Sequence, residues 1–175
     1  MNFRLRWMTL LVCSLIVVGA ATLFATPAVA QSQADVASLG WLTGGTWVGT
    51  APGSPLQVKT EYSWSNNKQF VRFFTKFVMP SGTQNKYDGN FYFDPATHHV
   101  MTWYVHEDGA ITLAETTVTP SGFAMTFSDA GDDGHPANYR VEVARQSDDR
   151  YSWRLFQQTK AGWKAVLALT FVRQA

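Results

Sequence analysis

Few side chains in this sequence combine the types and spacings that could do chemistry, and the histidines come first. His98 and His99 are adjacent, so they point to opposite faces of any strand they begin, and His106 follows seven residues after His99. Seven extended residues span roughly 23 Å, so one metal ion cannot take all three from that strand. A site drawing His135 or Glu115 from elsewhere is geometrically open; otherwise these are ordinary surface or turn histidines. The stretch Asp129-Ala130-Gly131-Asp132-Asp133-Gly134 places Asp129, Asp133 and Gly134 where a calcium loop wants them. Gly131 replaces the second ligand, however, and Arg140 stands where the bidentate glutamate belongs, so the stretch reads as a solvated acidic loop. Nucleophilic catalysis has no G-x-S-x-G elbow and no Ser-His spacing that marks a triad. The glycines of LTGGTWVG run into a strand, so no helix N-terminus follows them to hold a phosphate.

What remains are charges with apolar neighbours. Arg72 alternates with Phe70 and Phe74, Glu115 follows Ile111 and Leu113 on one face, and Arg154 shares a face with Phe156. If those faces point inward the charges must pair, since an unpaired buried charge is very costly. Pairing of Arg72 or Arg154 with Glu115 would set a polar spot in an aromatic-walled cavity; outward faces would leave the charges solvated. Arg72 and Phe73 cannot both point inward on a regular strand, so the candidates form a pool that includes wrong members.

The elements that would position these residues begin after a processed-looking N-terminus. Arg4 and Arg6 precede an apolar run that closes on Ala28-Val29-Ala30, the pattern of a signal peptide over residues 1–30 cleaved after Ala30. An uncleaved anchor is the rival reading, against which stand Ser14, Thr22, Pro27 and the A-x-A close. The protein is therefore expected in the periplasm or the medium. Cys13, the one cysteine, would leave with the signal, so neither a disulfide nor a thiol serves the mature chain. Residues 31–175 suffice for a single domain. The 14 Lys and Arg, less Arg4 and Arg6, leave 12 against 13 Asp and Glu, a formal charge of −1. That balance gives no footprint for nucleic acid or an anionic membrane.

Residues 31–42 form the one expected helix, stopped at Gly40. Every later segment reads as a strand rich in Val, Thr, Tyr, Phe and Trp, bounded by turn residues. The expected strands are 46–50, 57–65, 69–79, 86–93, 99–106, 111–118, 123–128, 139–145, 151–158 and 163–173. Tight turns between nearly all of them favour an all-β, about ten-stranded antiparallel up-and-down barrel, which removes its own edges; a β-sandwich is the alternative. Alternation puts Val71, Phe73, Thr75, Phe77 and Met79 on one face, Tyr87, Gly89, Phe91 and Phe93 on another, and Met101, Trp103 and Val105 on a third. Trp163, Ala165, Leu167, Leu169 and Phe171 share a face of the last strand in the same way.

Gly45-Thr46-Trp47 on the first strand resembles the G-x-W element of lipocalin-like (calycin) barrels. The wider pattern resembles uncharacterised bacterial secreted lipocalin-like domains: LGWLTGGTWVG, then FYFDPATHHVMTWYV, then a closing strand that ends in arginine, ALTFVRQA. The resemblance implies that Trp47 seals one barrel end with Arg173 over its ring, a structural pair, and that a small apolar ligand sits at the other end. Nitrobindin-like barrels are similar more distantly and bind haem through a histidine near the C-terminus. Residues 163–175 contain none, so no cofactor is expected by that route.

The resulting expectation is an exported lipocalin-like module that binds a small hydrophobic or aromatic molecule. Its wall is drawn from Trp64, Arg72, Phe73, Tyr87, Phe91, Trp103, Glu115 and Trp153. A solid barrel whose outward aromatics, such as Tyr92 and Tyr104, meet a partner is the second reading. An enzyme is the third and would need a perturbed polar cluster in a wet cavity, around Glu115. The ligand's identity and the oligomeric state are not readable from the sequence.

Overall fold

The computed structural model of the protein describes residues 30–130 and 134–174. The expected signal peptide with Cys13, and the centre of the acidic loop with Asp132 and Asp133, lie outside the described residues. A short helix α1 (Gln33–Ser38) and a 3-10 turn (Leu39–Leu42) lead into ten strands. These are β1 (Thr46–Thr50), β2 (Gln57–Trp64), β3 (Phe70–Met79), β4 (Gly82–Asp94) and β5 (His99–His106). They continue as β6 (Ile111–Thr119), β7 (Gly122–Ala130), β8 (Pro136–Arg145), β9 (Arg150–Thr159) and β10 (Gly162–Gln174). Each pairs antiparallel with its neighbours in sequence, and β1 pairs with both β2 and β10, so the sheet closes into a barrel. The backbone donors and acceptors of both outer strands are thereby satisfied without a second sheet.

The ends of the barrel are built differently. α1 starts at a capping box in which the Ser32 N–H donates to the Asp35 carboxylate at 2.6 Å. Its inner residue Val36, with Leu39 and Leu42 of the turn, is fully buried against the strand ends. The side chain of Gln31 fastens the segment to the wall: its amide N–H donates to the Thr116 carbonyl at 2.7 Å, and its carbonyl accepts the Val118 N–H at 2.9 Å. One end is thus capped. Gly44 and Gly45, with φ of 83° and 78°, turn the chain from this cap into β1, a left-handed conformation that a side chain would strain. Gly49 has a packing role: a Cβ there would meet the Phe171 ring at 2.5 Å.

Strand bounds differ from the sequence expectation in an instructive way. β4 begins at Gly82, and the ladder with β3 shifts between Thr75 and Lys76, so a bulge absorbs the added residues. A second shift between Ala165 and Leu167 breaks the alternation of β10. Ala165 is opposite Phe156 on the outer wall, whereas Leu167 is opposite Leu155 in the cavity wall. Trp163, expected on the face of Leu167, lies instead on the outside under the Arg140 guanidinium, 5.2 Å from its ring. Among the described residues, no helix is long and apolar enough to cross a membrane.

Candidate functional site

The inner wall is made by alternate residues of each strand, with the parity of β10 changing at its bulge, and it leaves a cavity of about 530 Å³ between the capped end and the open mouth. β3 contributes Phe73, Thr75 and Phe77; β4 contributes Tyr87 and Phe91; β7 contributes Phe123, Met125, Phe127 and Asp129. The far wall comes from Tyr139 and Val141 of β8, Tyr151, Trp153 and Leu155 of β9, and Leu167, Leu169 and Phe171 of β10. A volume of this size and an aromatic lining match small-molecule sites in general.

Of the residues expected at the wall, Phe73, Tyr87, Phe91 and Trp153 line the cavity. Trp64 has the same parity but lies at the capped end, beside Gly40. Arg72, Trp103 and Glu115 do not face inward. Arg72 is exposed on the outer wall, 3.7 Å from the Asp88 carboxylate, in a groove it shares with Glu61 and Phe74. Glu115 is on the outer wall with the His99 imidazole 2.7 Å away. Arg154 pairs outside with Glu142 at 2.9 Å, so neither arginine meets Glu115. Trp103 is opposite Asn90 and Leu113 on the outer face, and Tyr104, grouped by sequence with the outward aromatics, is the buried one.

The reversal on β5 and β6 has a physical cause. The inner residues there include Thr102 and Thr116, whose hydroxyls bond each other at 2.6 Å, and the same device pairs Thr60 with Thr75 at 3.0 Å. In each pair one hydroxyl donates and the other accepts, which lowers the cost of burying them, so β-branched threonine packs inside in place of valine. Hydropathy therefore favours the wrong face: Ile111 and Leu113 are outside, 66% and 61% exposed.

At the capped end, Trp47 is fully buried and its Nε1–H donates to the Leu42 carbonyl at 2.7 Å. The Arg173 guanidinium lies 4.3 Å from the centre of the Trp47 ring, and the two residues are directly opposite in the β1–β10 ladder. Arg173 also donates to the carbonyls of Trp41, Thr43, Gly44 and Asp148. Tyr151 packs on Trp47 at 4.7 Å and stacks on Phe171 at 4.6 Å, which makes the cavity floor aromatic. Above that floor the Tyr62 and Tyr151 hydroxyls are 3.5 Å apart. Desolvation pushes the Tyr62 phenol up to about 12, and that of Tyr151 upward too, so both remain neutral donors and acceptors across ordinary pH.

The mouth carries a polar group of residues drawn from three strands. His106 Nε2 is 2.8 Å from the Thr112 hydroxyl and 3.6 Å from the Asp129 carboxylate, toward which Thr112 Oγ1 also points at 3.5 Å. Tyr104 stacks on His106 at 5.2 Å, and Tyr87 meets both rings edge-on. Burial raises the Tyr104 and Tyr87 phenols, with the Asp129 charge adding to the effect. By sequence alone His106 is an ordinary surface or turn histidine and Asp129 part of a solvated acidic loop. The available signal was parity: His106 continues Thr102 and Tyr104, and Asp129 continues Phe123, Met125 and Phe127 once β7 extends to Ala130.

Haem does not fit by the route of the nitrobindin resemblance. β10 offers no histidine, and His106 is held at the rim by Thr112. Among the described residues, no three His, Cys, Asp or Glu converge to hold a metal ion.

No family model matches the chain, and no curated protein matches it. Among solved structures, the chain is similar to the crystal structure of Rv2717c from M. tuberculosis. The identity is 14%, the match covers 81% of this chain and 98% of that one, and the TM-score is 0.47.

Proposed function

We propose that this is an exported lipocalin-like binding protein that holds a small aromatic or otherwise apolar molecule inside its barrel. The carrying observation is the cavity of about 530 Å³, open at one end, walled by aromatic and aliphatic side chains and floored by two neutral tyrosine hydroxyls. Burial of apolar ligand surface there supplies the affinity, at about 25 cal/mol per Å² before the cost of association is subtracted. The hydroxyls and the rim polar groups orient the molecule.

The test is a fluorescence titration with phenylnaphthylamine, a neutral probe that brightens in apolar surroundings, together with native mass spectrometry of protein from its own host. Saturable brightening is expected, and Leu155→Trp, which fills the cavity, should abolish it while the circular dichroism stays unchanged. Equal brightening in the filled variant would overturn the reading. The partner-binding alternative keeps one specific observation, the exposed outer-wall pair Ile111 and Leu113 beside Trp103. Loss of self-association or of a co-purifying protein in Leu113→Ser, with no probe binding in the parent, would favour it.

A further inference from the structure

We propose that the cavity selects cationic amphiphiles, an aromatic or aliphatic body carrying an ammonium group, and that Asp129 with the rim aromatics is the cation-recognising element. The proposal rests on the reading of the barrel as a small-molecule carrier. Among the described residues, Asp129 is the one formally charged side chain lining the cavity, and no lysine or arginine lines it. Its carboxylate is fixed: the Ala130 N–H donates to Oδ1 at 2.7 Å, and Thr112 and His106 flank Oδ2.

Around it runs a continuous arc of rings. Phe77 meets Tyr87 at 6.1 Å, Tyr87 meets Tyr104 at 5.3 Å, Tyr104 meets Phe127 at 6.2 Å, and Phe127 stacks on Tyr139 at 5.6 Å. A carboxylate beside aromatic faces attracts an ammonium twice, through the charge and through the ring quadrupoles. The same field repels a carboxylate ligand, so free fatty acids are disfavoured.

Among the described residues, two further groups at this end that can carry positive charge are Lys86 and His106, the latter 3.6 Å from Asp129 itself. Lys86 is paired with Glu107 and lies 5.7 Å from the Phe77 ring. His106 is bonded to Thr112 and borders the cavity without lining it. Among the described residues, Asp129 is therefore the charge that a ligand in the cavity meets.

Three naphthalenes of matched shape test this at about pH 8, where the amine is cationic and the carboxylate anionic. These are naphthylmethylamine, naphthylmethanol and naphthoate, each measured by displacement of phenylnaphthylamine. The ammonium should bind about tenfold tighter than the alcohol, and the carboxylate more weakly than either. Asp129→Asn should erase the preference for the ammonium over the alcohol, while Asp129→Glu and Glu107→Gln should retain it.

Equal binding of amine and alcohol by the parent protein, or a preference that survives Asp129→Asn, would overturn the proposal while leaving the carrier reading intact. So would loss of the preference in Glu107→Gln. Absence of binding by all three compounds and by phenylnaphthylamine would overturn the carrier reading, and this proposal with it.

Discussion

The two ends of the barrel use the same materials, aromatic rings and anchored charge, toward opposite results. At the capped end the charge is Arg173, whose guanidinium is consumed by four backbone carbonyls and the Trp47 face. Its rings, Trp41, Trp47 and Tyr151, pack on one another with no space between. At the mouth the charge is Asp129, and its ring neighbours leave a cavity. A donor-rich cation can satisfy many main-chain acceptors and so closes a lid, while a partly satisfied carboxylate among rings retains capacity for a guest. The difference separates a stability site from a recognition site, and each can be perturbed without the other.

The largest expected effect is at the cap. Trp47→Ala should cost about 3–5 kcal/mol by removing a fully buried indole. Arg173→Ala should cost about 2–4 kcal/mol, because several carbonyls lose their donor together with the cation–π contact. Urea denaturation reads both, and a change under about 0.5 kcal/mol for either would break the distinction between the ends. Probe affinity of the folded protein should stay within about twofold, since neither side chain lines the cavity.

Next in size is an alkaline transition. The Tyr62 phenol titrates near 12 in the folded chain against 10 unfolded, chiefly through desolvation. Its contribution is therefore fully present below about pH 10 and is lost as pH rises through about 12, where the unfolded chain gives up the proton first. Melting temperature should fall over that window, with the raised phenols of Tyr87, Tyr104 and Tyr151 contributing in the same sense, and Tyr62→Phe should lessen the fall; an unchanged slope would count against a desolvated Tyr62 phenol.

At the mouth the expected effects move from stability to binding. Phe127→Ala and Tyr87→Ala should weaken phenylnaphthylamine by about five- to tenfold while costing only about 1–2 kcal/mol, since both side chains keep exposed surface. Unaltered affinity would show that the guest does not reach the rim. Smallest of all, Arg72→Gln and Glu115→Gln should change stability by less than about 0.5 kcal/mol and binding not at all, because both sit in exposed ion pairs on the outer wall. A loss of any activity or binding in Glu115→Gln would instead restore it as a site residue.

Local signals and non-local ones divide what was legible. Turn chemistry is local, so Asn66-Asn67, Pro80-Ser81-Gly82 and Pro120-Ser121-Gly122 announced ten strands whose centres are where the barrel has them. Trp47 and Arg173 were paired through resemblance, and the β1–β10 ladder places them opposite each other. The choice of face was not local. On β5 both parities are rich in aromatic and apolar residues, and the inner one, Val100, Thr102 and Tyr104, packs against residues of other strands, among them Thr116, whose hydroxyl meets that of Thr102. On β10 a bulge at Val166 exchanged the two parities midway.

The sequence by itself determined an all-β chain of ten strands, because alternation and turn residues act through neighbours a few positions apart. Closure, register and the inner parity depend on which strands pair. Only the tertiary structure could therefore bring His106 of β5, Thr112 of β6 and Asp129 of β7 to one rim, and set Arg72, Trp103 and Glu115 outside it. A one-residue step along a strand reverses every side chain, and the free energy that fixes that step is spread over contacts between distant segments.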